Sequence, residues 1–272
     1  MIKPIYKLKK WINIDKLVWN SLSLNPNAMH ILEYKLDKIN WYFIALNPNG
    51  LYLLDKYPDK IDWEFLSSNP NAMHLFEKNP DKINWSFLSR NSNAIHLLER
   101  NLDKIDWTYL SMNSGAIDLL ERHPNKINWI WFMSNPNGLH LLEKNPDKID
   151  LFRLSKNPSY INLLKKNVDK INWDFLSSNS NAIDLLESNP NKINWVFLSR
   201  NPNAMHLLES NPDKINWPEF SCNPSIFELD VDAMKNQIKP FYEELQKACF
   251  HPKRVERYLE EFNYDINLDQ EW

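Results

Sequence analysis

The stretch WSFLSRNSNAIHLLERNLDKID, from Trp85 to Asp106, returns with small variations ten times along the chain. Tryptophan opens the copies at 19, 41, 63, 85, 107, 129, 173, 195 and 217, and Leu151 stands in for it once. Asparagine follows six residues later in every copy: Asn25, Asn47, Asn69, Asn91, Asn113, Asn135, Asn157, Asn179, Asn201 and Asn223. No insertion or deletion disturbs the 22-residue register. Self-similarity at a fixed short period is the signature of stacked units, so the fold is to be read one unit at a time.

Each unit carries two helix starts. Asp62, before the segment WEFLSS, is an N-cap whose carboxylate can accept from the free N–H groups of the first turn. Ile61 before it can pack on Leu66 across that turn. Asn69-Pro70 ends the first helix and begins the second, because a residue before proline leaves the α region and proline suits the first helical position. Ser92, Ser114 and Ser180 replace this proline in three units. The second helix places Ala72, Met73, Leu75 and Phe76 on one stripe and His74, Glu77 and Lys78 outside it. Asn79-Pro80 stops it, and the linker PDKI leads to the next cap, Asn84. Such short helices do not survive alone, so neighbouring units must supply the stability. Trp63 and Phe65, two residues apart, point to nearly opposite sides of their helix, as a helix sandwiched between neighbours requires. Ser67 and its equivalents Ser89, Ser111, Ser177 and Ser199 are small enough for close helix approach.

Three other architectures fit less well. The alternation Ile83, Trp85, Phe87 is also a strand pattern, but the leucine-rich-repeat signature is missing. A continuous helix of 11-residue period would share the repeat length, but prolines in nine of the ten units, two of them in five units, interrupt it. A β-propeller needs longer units and turn glycines. The expected fold is therefore all-α: an α-solenoid of about ten 22-residue helix-turn-helix repeats with a C-terminal helical cap. Its expected divisions are 1–18, a basic start and worn half repeat ending Asp15-Lys16-Leu17-Val18; 19–231, the solenoid; and 232–272, the cap. In the cap, helices are expected over Pro240–Phe250 and Pro252–Phe262. Their apolar faces, Phe241, Leu245 and Ala248 and then Val255, Tyr258, Leu259 and Phe262, would cover the last repeat.

Composition narrows function. With 43% hydrophobic residues the chain can bury a core, and its net charge of −3 argues against bulk attraction to nucleic acid or anionic membrane. No apolar run approaches a bilayer span, and the start MIKPIYKLKKW lacks the apolar region of a secretory signal. Three glycines leave no phosphate-binding loop. Cys222 and Cys249 form neither a disulfide framework nor a metal spacing, so an intracellular setting is expected.

The words Asn-Pro-Asn-Ala and Asp-Lys-Ile-Asn-Trp, in units such as NPNAMHLLESNPDKINW, and the tail FHPKRVERYLEEFNYDI resemble the repetitive proteins of giant DNA viruses of the mimivirus kind. The resemblance spans nearly the whole chain and implies a viral protein acting in an infected host cell, in its cytoplasm or in the virion. It carries no catalytic residue across. The segment LFRLSKNPSYINLLKK, from Leu151, departs from the pattern.

Recurring polar residues have ordinary explanations. His30, His74, His96, His140 and His206 share one repeat position, but stacked helices lie too far apart for adjacent ring nitrogens to share a zinc readily, and the position falls on the solvent side. Nine lysines from Lys38 to Lys214 form a stripe, each following an acid or asparagine, as in Asp59-Lys60. They also lie just past a helix C-terminus, where a cation meets free carbonyls. The asparagines are helix caps. Catalysis needs dissimilar groups converging at one place, whereas a regular array repeats the same few. No catalytic, cofactor or metal residue is therefore expected.

Variation between units says more. The residue after tryptophan changes freely, as does the one four further on, which includes Ser134, Lys156 and Arg200. Units six and seven deviate together through Ile130, Trp131, Met133, Phe152, Arg153 and Tyr160. Aromatic residues and arginine are typical of interaction hot spots. Ile130, Trp131, Phe152, Arg153 and Tyr160 are accordingly the candidate partner-binding residues; the competing explanation is local repacking around Leu151. If binding is the cause, Phe152 should be exposed and Arg153 should reach solvent or a carboxylate. The expected function is a non-enzymatic scaffold for a protein partner, with a nucleic-acid-binding repeat protein as the alternative.

Overall fold

The computed structural model describes residues 4–249, 251, 253–255 and 257. The chain divides into two compact units: Leu8–Glu228, and a second made from Met1–Lys7 with Leu229–Trp272. The first contains all ten repeats.

A repeat folds as its caps dictate. Asp62 Oδ1 accepts from Phe65 N at 2.9 Å and starts the helix Trp63–Leu66. Asn69 Oδ1 accepts from Asn71 N at 3.0 Å and starts a 3-10 turn, Pro70–Ala72, that runs into the helix Met73–Lys78. The PDKI linker is itself a 3-10 turn, Pro80–Lys82, before the cap Asn84. Both helices are short, four to six residues in the repeats described by name here. Helical structure dominates, as expected, and the two three-residue strands Tyr6–Leu8 and Phe227–Leu229 form the one small sheet among the described residues.

The repeats are tied by a ladder that local capping does not reveal. While Asn69 caps its own turn, its Nδ2 donates to Ala45 O at 2.8 Å and Asn47 O at 3.0 Å, both in the preceding repeat. All ten equivalents make the same pair of bonds and all are buried. Ser67 does more than permit close approach: its Oγ donates to Trp63 O at 2.8 Å and accepts from Asn84 N at 3.0 Å, fixing the next helix start. Both groups are buried and both are satisfied, which is what makes a polar ladder favourable inside a core.

The ladder has no free end. Asn25, in the first repeat, donates to Ser221 O at 3.1 Å and Asn223 O at 2.8 Å, in the tenth. Asn27 Nδ2 reaches Pro224 O at 3.1 Å, as Asn49 reaches Pro26 O at 2.9 Å. The repeats of Leu8–Glu228 therefore close into a ring, each turning the chain by about a tenth of a circle. The tenth repeat is composite. It lacks its own Asp-Lys-Ile linker, and the N-terminal segment supplies one. The 3-10 turn Ile14–Lys16 occupies the place of Pro80–Lys82. Lys16 lies 5.1 Å from the Trp217 ring, as Lys38 lies 5.0 Å from Trp19. Val18 N donates to Ser221 Oγ at 2.9 Å, as Asn40 N donates to Ser23 Oγ at 3.0 Å. What reads in the sequence as a worn half repeat is thus the missing end of the last one. Lys9 N completes the seam by donating to Ile226 O at 3.0 Å.

A single helix spans Val231–Cys249, with Pro240 inside it rather than opening a second one. Phe241 and Ala248 are exposed and Val255 is half-buried. The side chain of Leu245 and residues Tyr258, Leu259 and Phe262 lie outside what the structure describes.

Candidate binding cleft

Within the ring the tryptophan-initiated helices of successive repeats approach one another most closely. In a closed ring the row of shortest spacing is the inner row. The fourth residue of each such helix, Leu66 or Leu88 for example, is fully buried toward the second helices. The second and third residues, and the sixth residue of the repeat near the helix end, lie away from that side and so face the ring axis.

The third position is Phe or Tyr in most repeats, and these rings form edge-to-face ladders along the inner row. Phe65 meets Phe87 at 5.4 Å between centroids and Phe87 meets Tyr109 at 5.9 Å. On the far side Phe152, from the second position, meets Phe175 at 5.6 Å, and Phe175 meets Phe197 at 6.0 Å. Spacings of 4.5–7 Å in tilted or T-shaped geometry are favourable. Between the two runs the ladder breaks: Trp131 contacts neither among the described residues, and Arg153 takes the next aromatic place. The break leaves a cleft of about 230 Å³ lined by Ile130, Trp131, Ser134, Arg153, Lys156 and Phe175.

Four of the five expected partner-binding residues are at this place and accessible. Ile130 is 57% exposed, Trp131 43% and Phe152 52%, although Leu151 beside Phe152 has replaced a tryptophan. Phe152 has not moved inward to fill that space. Arg153 is exposed and its Nε pairs with Asp150 Oδ2 at 3.1 Å. Tyr160 is the exception and a correction. It is buried to 1%, and its hydroxyl donates to Asn135 O at 3.0 Å. Burial pushes that hydroxyl up to about 12. Tyr160 sits where six of the other nine repeats have alanine, and the bulk is absorbed next door: a Cβ on Gly138 would lie 2.6 Å from the Phe132 ring and 3.0 Å from the Tyr160 hydroxyl. Phe132 in turn replaces the usual leucine and is fully buried. Repacking therefore accounts for Phe132, Gly138, Tyr160 and buried Met133, but not for Ile130, Trp131, Phe152 and Arg153. Sequence reasoning missed Ser134 and Lys156, which it noted only as variable. Phe175 follows the repeat pattern and gave no signal.

The other candidate groups are placed differently. His74, His96, His140 and His206 are exposed and His30 is half-buried. Among the described residues no cluster of metal-ligand type forms. Instead His140 Nε2 lies 2.5 Å from Glu121 Oε1 and His206 Nε2 lies 2.7 Å from Glu187 Oε1, in each case one repeat back. The His140 contact is the largest influence holding Glu121 below the ordinary carboxylate value, with Lys144 adding to it. Several stripe lysines lie over the tryptophan of their own repeat, Lys104 on Trp85 at 4.6 Å and Lys214 on Trp195 at 4.5 Å. Others pair with the preceding acid, as in Lys60–Asp59 at 3.2 Å and Lys148–Asp147 at 2.8 Å. The stripe is therefore engaged locally by rings as well as by acids. Among the described residues no helix is long and apolar enough to cross a membrane. Cys222, at the seam, donates weakly to Ser21 O at 3.4 Å, and burial raises its thiol. No protein-family model, no curated protein and no solved structure matches the chain.

Proposed function

We propose that this protein is a non-enzymatic scaffold whose ring binds a protein partner at the break in its inner aromatic row. The observation that supports this reading most is that Ile130 and Trp131, neither with a ring partner among the described residues, stay exposed along an open cleft, and exposed Phe152 adjoins it through Phe175. Rigid aromatic anchors next to an arginine are what binding energy concentrates on. A closed ring also holds those anchors in place before the partner arrives, which lowers the ordering cost of association. The resemblance in the repeat words supports a setting in an infected host cell.

The test compares affinity capture by the whole chain with capture by Phe152→Ala and Trp131→Ala variants in extracts of infected cells, scored by quantitative mass spectrometry. The reading requires a protein retained by the wild type and lost from both variants at unchanged thermal stability. Equal capture by all three would overturn it. The nucleic-acid alternative is tested by filter binding to mixed-sequence single strands, where sub-micromolar affinity falling steeply with salt would favour it.

A further inference from the structure

The sixth residue of the repeat, at or just past the end of the inner helix, is a cation in three repeats, and the structure shows how two of them are matched. Arg200 Nη1 lies 3.6 Å from Glu219 Oε2, a carboxylate supplied by the next repeat. Arg90 lies 6.0 Å from the centroid of Tyr109, also in the next repeat. Lys156 is the third. The next repeat offers it Phe175, which lines the cleft, and among the described residues no carboxylate pairs with it. Arg153 beside it engages Asp150 through Nε, and its two terminal nitrogens have no partner among the described residues. Asp174, the nearest acid of the next repeat in sequence, is taken up by Asn194 Nδ2 at 2.9 Å. One side of the cleft is therefore cationic and the other, Ile130 and Trp131, is apolar.

Resting on the scaffold reading above, we infer that this cleft takes an acidic peptide segment in which a carboxylate adjoins an apolar side chain. The carboxylate plays, against Lys156 and the free edge of Arg153, the part that Glu219 plays against Arg200. The apolar side chain lies on Trp131 and Ile130. Charge complementarity selects the acid, since a bidentate or paired cation–carboxylate contact is stronger than a neutral bond. Size selects a peptide: about 230 Å³ is below the range of pockets that enclose a whole small ligand and suits one or two side chains. Nucleic acid is disfavoured by the chain's net charge of −3, and Phe175 in the cleft already meets both Phe152 and Phe197 in T-shaped geometry.

The probe is a displayed library of random twelve-residue peptides, selected on the whole protein and in parallel on Trp131→Ala, Lys156→Glu and an Arg153→Glu, Lys156→Glu double variant, each checked for unchanged near-ultraviolet circular dichroism. The expected result is a wild-type consensus pairing Asp or Glu with an adjacent large apolar residue. Synthetic peptides of that consensus should bind the Trp131→Ala and Lys156→Glu proteins about tenfold more weakly or worse, and the double variant should select Lys or Arg in place of the acid. A wild-type consensus without an acid would overturn the inference, as would a consensus unchanged on the double variant. Peptides that bind all four proteins equally would overturn the inference and move the partner site away from this cleft, while peptide binding by the ring would stand. Failure to enrich any peptide would count against both. Lys156-dependent binding of a labelled oligothymidylate, with no peptide consensus, would reassign the cleft to nucleic acid.

Discussion

Replacing Asn25 with alanine tests ring closure at a single residue. In the structure Asn25 makes three bonds: Oδ1 accepts from Asn27 N at 3.0 Å, and Nδ2 donates to Ser221 O at 3.1 Å and Asn223 O at 2.8 Å. Loss of the cap costs about 1 kcal/mol. The two carbonyls then lose a buried donor; Asn223 O keeps Ile226 N at 3.3 Å, so it contributes at the low end and Ser221 O more. Together the variant should lose about 3 kcal/mol, of which about 2 kcal/mol comes from the cross-seam bonds. Asn113→Ala is the internal control, because Asn113 makes the same three bonds to Gly115 N, Ser89 O and Asn91 O, each at 2.9 Å. Urea unfolding followed by tryptophan fluorescence gives both values on the same footing. A closed ring predicts that the two variants lose nearly the same free energy. A loss of only about 1 kcal/mol for Asn25→Ala, beside the larger loss for Asn113→Ala, would mean that the first repeat meets only solvent on that side and would refute closure.

Three further outcomes follow from the same geometry. Deleting one whole repeat, residues 86–107, should open the seam or sharply lower stability, because nine repeats must each turn further to close; small-angle scattering unchanged except for a shorter maximum dimension, at near-normal stability, would argue for an open array. Gly138→Ala should destabilise by about 1–3 kcal/mol, since its Cβ would meet the Phe132 ring at 2.6 Å, and Phe132→Leu in the same chain should recover most of the loss; no recovery in thermal unfolding would place the strain elsewhere. Glu121 is held below its ordinary value by His140, so the stabilisation it provides should be present above the ordinary carboxylate pKa of about 4.3 and vanish as pH falls through the lowered one. The urea midpoints of Glu121→Gln and the wild type should therefore converge in acid, and divergence there would contradict the pairing.

Much of this protein is readable from one 22-residue unit because the forces that shape a unit are local. Asp62, Asn69 and Asn84 cap their own turns within three residues, and Pro70 and Pro80 limit the backbone where they stand, so the helix starts follow from composition and spacing. The exposure of Phe152 was posed by the pattern as well, as an apolar residue at a position otherwise variable and mostly polar. What the pattern does not contain is any bond whose partners sit a repeat apart. The outward amide of Asn69 looks identical in sequence to any other cap, and only the stacked structure shows it reaching Ala45 and Asn47. Tyr160 reads as a surface aromatic until Gly138 and Phe132 are seen making room for it. The ring itself is the furthest from sequence. Its curvature comes from a small difference in spacing between the inner and outer helix rows, repeated ten times, and no single residue encodes that difference. The tertiary structure alone brings Lys16 onto Trp217 and Asn25 onto Ser221, joining chain segments about 200 residues apart, because closure depends on the accumulated rotation of every repeat between them.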